Sequence, residues 1–162
     1  MGTAIATGVI AIAGALLGSI MTGRMQRRIT EDAHAAAERA ALRREQIAAV
    51  AAVAAGAADH RRTSYRRRVL EQRGATAEEL AEAKDDAYRT RSAMAQPLAL
   101  VRLLIPHQAV RVAVDQLVAT TFGLREAPDL AAGREASIAA HDRFLDTAAA
   151  VIGTAAVLGT KP

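Results

Sequence analysis

Histidines and carboxylates are the side chains of this sequence suited to proton transfer or metal binding, and their spacing argues against both. His34, His60, His107 and His141 lie far apart, and none belongs to an HExxH or comparable pattern that would set two imidazoles on one helical face. His34 and Glu38 stand four residues apart and His141 adjoins Asp142. Neither pair has the third ligand, nucleophile or orienting group that a site needs. Glu78, Glu79, Glu82, Asp85 and Asp86 crowd one segment, but their alternation with small residues reads as a solvated helical surface rather than a shielded acid/base pair. With no cysteine in the chain, thiolate ligands, thiol nucleophiles and disulfides are excluded. No GxxxxGK[ST] run is present to cradle a phosphate. The sequence therefore predicts a non-enzyme with no cofactor and no metal.

The other candidate chemistry is that of arginine. Residues 24–73 hold twelve arginines against six acidic residues, a net of +6, whereas residues 74–162 are net −2. The densest run contains Arg61, Arg62, Arg66, Arg67 and Arg68, which helical geometry spreads around much of a cylinder rather than along one edge. Guanidinium groups so placed suit the acidic helices of a partner or of a second copy. Attraction to a nucleic-acid backbone is the second reading, with no Cys/His zinc spacing, no evident helix-turn-helix and only Tyr65 for stacking.

The elements that must carry these residues are helices. The 162-residue chain has 51% hydrophobic residues but two phenylalanines, two tyrosines and no tryptophan, so a core must be built mainly from Ala, Val, Leu and Ile in closely packed elements. Residues 3–23 are an uncharged run, TAIATGVIAIAGALLGSIMTG, long enough as a helix to match a hydrocarbon core of about 30 Å. The expectation is a single transmembrane anchor at the cell membrane. Arg24, Arg27 and Arg28 follow it with no basic residue before, which predicts the N-terminus outside and the helical body in the cytoplasm. Gly14 and Gly18 form a GxxxG spacing suited to close helix association. The acylation pattern that Gly2 suggests is incomplete, because Ala6 stands where Ser or Thr belongs.

Beyond the anchor, residues 24–72 contain no proline and one glycine, Gly56, and favour one long helix. Ile29, Ala33, Ala36, Ala40, Ile47, Val50, Ala54 and Ala57 follow three-or-four-residue steps along it, as a membrane-proximal stalk with coiled-coil character would; Gly56 is the expected bend. Thr76 and Glu79 have capping-box spacing and open a helix that Pro97 should kink or divide, a kink being the expected outcome. Pro106 can open the next helix, whose face holds Val110, Val114, Leu117, Val118 and Thr121. A last helix is expected over 130–158; its apolar end, 14 residues between Asp146 and Lys161, is too short for a second crossing.

The expected fold is all-α: a transmembrane anchor over 1–23, a basic helical stalk over 24–73 and a small antiparallel helical bundle over 74–162. In this order of a glycine-containing anchor, a basic helix with Arg61, Arg62, Tyr65, Val69 and Leu70, and the segment LALVRLLIP ending at Pro106, the chain resembles small membrane-anchored helical proteins of high-GC actinobacteria and their mobile elements. The resemblance implies no catalytic residue. The expected function is a membrane-anchored structural or protein-interaction module, with the lipid bilayer and either a second copy or another membrane-associated protein as partners. The alternative is a membrane-attached nucleic-acid-binding or regulatory protein acting through Arg61 to Arg68.

Overall fold

The computed structural model describes the backbone of residues 2–158 and the side chains of residues 25–154. Its elements are five α-helices and one short 3-10 turn: α1 (Gly2–Gln72), α2 (Ala77–Ala93), α3 (Ala95–Leu104), α4 (Gln108–Phe122), the 3-10 turn Gly123–Glu126 and α5 (Leu130–Leu158). The chain divides into two units, Met1–Leu42 and Arg43–Pro162.

Each helix end in the second unit follows from its local sequence. Past α1, Gly74 takes φ 69°, a left-handed conformation that glycine adopts without a Cβ penalty. That geometry lets Gly74 N–H donate to the Glu71 carbonyl and Ala75 N–H to the Leu70 carbonyl, closing the helix in a Schellman motif. Thr76 then opens α2 with the expected capping box: the Glu79 N–H donates to Thr76 Oγ1 at 3.2 Å, and Thr76 N–H donates to Glu79 Oε2 at 2.9 Å. Hydrogen bonding from the Thr76 backbone holds the Glu79 carboxyl below the usual carboxylate range.

Pro97 divides the expected second helix rather than kinking it. The junction is at Met94, which stays in the right-handed region at φ −76°, ψ −17°, so that Pro97 falls in the first turn of α3, where a missing amide costs nothing. Pro106 lies just outside α4; the cap is His107, whose Nδ1 accepts from Ala109 N–H at 3.3 Å. Asp129 caps α5 by accepting from the amides of Ala131 and Ala132.

Within the unit Arg43–Pro162 these elements enclose one apolar core. Phe144, Met94, Leu117, Val53, Val101, Val110 and Val114 are fully shielded from solvent. Ala49, Val50, Val53 and Ala57 bring α1 to that core, and Phe144, Ala148 and Ile152 bring α5. Alanine makes this possible, because small side chains let helices approach closely and bury the larger residues of their neighbours. Gly56 is not a bend. Helix α1 runs through it, and a Cβ there would lie 3.0 Å from Met94 Cγ, so the glycine makes room for a core methionine.

Three expectations are corrected here. Among the described residues no helix is long and apolar enough to cross a membrane, so the transmembrane anchor, the lipid-bilayer partner and the single-pass location with an outside N-terminus are not carried forward. The side chains of the proposed anchor, including Gly14, Gly18 and Arg24, lie outside the described residues, while Arg27 and Arg28 are exposed on α1. The stalk is also revised: from Ala49 onward α1 forms one wall of the core, because its alanine face finds larger side chains to pack against.

Candidate functional site

Two polar constructions stand on the second half of α1. One is sealed. His60 is 5% exposed, its ring meeting Phe122 edge-on at 5.0 Å between centroids. Its Nδ1 lies 3.0 Å from Thr90 Oγ1 and its Nε2 3.3 Å from Ser64 Oγ. Thr90 has only one hydroxyl proton, and its Oγ1 sits 3.1 Å from the carbonyls of both Asp86 and Ala87. Each ring nitrogen thus has a hydroxyl partner. Burial holds the imidazole pKa below its ordinary value, and the Arg91 charge adds to that effect. The Arg91 guanidinium lies 4.6 Å from the centre of the same Phe122 ring. With both ring nitrogens engaged, this cluster joins α1, α2 and α4. A second buried polar pair, Thr121 and Ser137, shares a hydrogen bond of 3.0 Å between α4 and α5.

The other construction is open to solvent. Arg61, Arg62, Tyr65 and Arg66 of α1 and Arg134 of α5 line a groove of about 710 Å³. The Arg134 guanidinium stands 5.9 Å from the centre of the Tyr65 ring. Arg62 pairs with Asp59, and Arg66 approaches Glu82 at 3.7 Å and Asp86 at 3.5 Å. Arg61 differs from both, because its Nη1 is buried with no hydrogen-bond partner. Desolvation pulls the Arg61 pKa down and the Arg134 charge adds to it, against the opposing influence of Asp142.

The structure therefore splits the arginine run predicted from sequence. Arg61, Arg62 and Arg66 reach the groove, while Arg67 and Arg68 turn to Glu71 at 3.1 and 3.7 Å. Arg125 reaches the same carboxylate at 3.4 Å. Arg134 is a groove residue that sequence reasoning missed: no other basic residue stands near it in its alanine-rich stretch, and only the packing of α5 beside α1 brings it in. Of the other histidines, His107 caps α4, and His141 Nδ1 lies 3.0 Å from Asp142 Oδ1. Among the described residues no group of three His, Asp or Glu is placed to hold a metal ion.

The second unit is thus a helical bundle with an open basic groove on α1 and α5. The KilB plasmid transfer protein family matches residues 47–152. Protein KilB of Streptomyces lividans is 34% identical over 150 residues, covering 91% of this chain and 98% of the relative. The chain belongs to the KilB family. No solved structure matches. Family membership replaces the resemblance to membrane-anchored proteins. The family match begins and ends close to the first and last residues of the core, Ala49 and Ile152.

Proposed function

We propose that this chain serves plasmid transfer as a non-enzymatic, self-associating protein-interaction module. The observation that carries the reading is the match to protein KilB over 91% of this chain and 98% of that protein. Self-association is supported by the unit Met1–Leu42. There Met25, Ile29, Ala33 and Ala36 recur at three-or-four-residue steps and are exposed, Met25 at 67% and Ile29 at 61%. An apolar stripe on a helix gains free energy by meeting another such stripe, and a second copy supplies an identical one.

Two measurements test this. In a Streptomyces lividans donor deleted for KilB, the chain supplied in trans restores plasmid transfer; failure to restore it removes the functional assignment. In sedimentation velocity the purified chain shows a mass that rises with concentration, and Ile29→Asp shifts the association at least about tenfold, since burying an unpaired carboxylate is costly. A monomer at every concentration removes the self-association.

A further inference from the structure

The groove beside Tyr65 has an electrostatic arrangement that the fold does not need. Arg61 and Arg134 face it from different helices with like charge. Arg134 forms no ion pair among the described residues, and Arg61 Nη1 is shielded from water without an acceptor. Two guanidinium charges held beside one groove, one of them partly desolvated, cost free energy that an arriving anion relieves. We propose that this groove is a docking site for a carboxylate-bearing segment of a protein partner, held by Arg61 and Arg134.

The acceptor chemistry follows from the donors. A guanidinium presents a planar fork that matches an oxyanion with two acceptor atoms, and the bond is charge-assisted. A polyanion is the poorer occupant. Nucleic acid carries evenly repeated phosphates and needs a continuous basic track, whereas the carboxylates of Asp59, Glu82, Asp86 and Asp142 interrupt this surface on α1, α2 and α5. Next to the groove, Tyr65 and Arg66 also line a second depression of about 260 Å³ with Val69 and Leu70. Its apolar wall suits an aliphatic side chain about one helical turn from the acidic one, so the expected segment mixes Asp or Glu with Leu or Val.

The chain contains two tyrosines and no tryptophan, which supplies the reporter. Tyr88→Phe leaves Tyr65 as the only tyrosine, so its emission reads the groove directly in the full chain. Titration with an end-blocked synthetic peptide of glutamate, aspartate and leucine changes that emission saturably. Arg134→Gln, at an exposed position that leaves the core intact, weakens binding about tenfold, the typical loss for one charge-assisted bond. Arg61→Gln does the same or more, Arg61→Lys recovers only part, and Arg102→Gln, whose partner Asp115 lies 2.9 Å away outside the groove, changes nothing.

Equal binding of the same peptide with Gln and Asn in place of its acids overturns the proposal, as does no saturable signal. Tighter, steeply salt-dependent binding of a duplex oligonucleotide that Arg134→Gln abolishes also overturns it and assigns the groove to nucleic acid. This inference rests on reading the chain as an interaction module. Failure of the titration with transfer still restored in the deletion donor refutes the groove alone.

Discussion

Along α1, Ala33 and Ala36 are exposed, whereas Ala49, Ala54 and Ala57 further along the same helix are buried. Both stretches have the same helix-forming composition and the same step between apolar positions. Periodicity tells which residues share a face, but burial needs a neighbour. For residues 49–57 the neighbours within the unit Arg43–Pro162 are Met94, Phe144 and Ala148. The family match covers this packed stretch and omits the exposed one before residue 47.

The strongest way to break the contrast is to remove its largest core side chain. Phe144→Ala is expected to cost about 3–5 kcal/mol in urea unfolding followed by circular dichroism, from lost burial plus the cavity left behind. Ala33→Gln, at an exposed position in the first unit, should stay within about 0.5 kcal/mol of wild type. Equal effects of the two substitutions would mean that the core does not lie where Phe144 sits.

Two glycines of α5 sharpen the point on a smaller scale. A Cβ at Gly133 would lie 2.8 Å from Ala127 Cβ and 3.1 Å from Leu124 Cδ1, while at Gly153 nothing stands within 4 Å. Gly133→Ala is therefore expected to destabilise by about 1–3 kcal/mol through overpacking. Gly153→Ala should stabilise by up to about 1 kcal/mol through helix propensity. Thermal melts of the two variants moving in the same direction would contradict the packing between α5 and the 3-10 turn.

The smallest effect expected is that of pH on His60. Its pKa is lowered in the folded protein, chiefly by burial, so the unfolded chain takes up the proton first. The stabilising contribution is fully present above the ordinary histidine value of 6.5 and is lost as pH falls toward the folded value. The urea midpoint should fall between about pH 7.5 and about pH 5.5 by more in wild type than in His60→Gln. Identical slopes would show that the ring is not held neutral.

Much of the helical plan was legible because helix boundaries obey local rules. The capping box at Thr76 and Glu79 could be read from spacing, and so could the helix whose face holds Val110, Val114 and Leu117. Pro97 was harder to place, because its effect depends on whether it falls inside a helix or in a first turn, and the Met94 junction decided that. The arginine run was legible as charge suited to an acidic partner, yet not as a groove. Which guanidinium faces the groove depends on whether a nearby Glu71 captures it, as happens to Arg67 and Arg68.

Composition and short-range spacing were enough to establish a helical protein without thiol chemistry, since those properties reside in single residues and neighbours within a turn. They could not place Arg134 beside Tyr65, bring Thr90 to His60, or separate exposed from buried alanines. Those outcomes depend on which helices come together, and the free energy that brings them together is burial summed over side chains far apart in the chain.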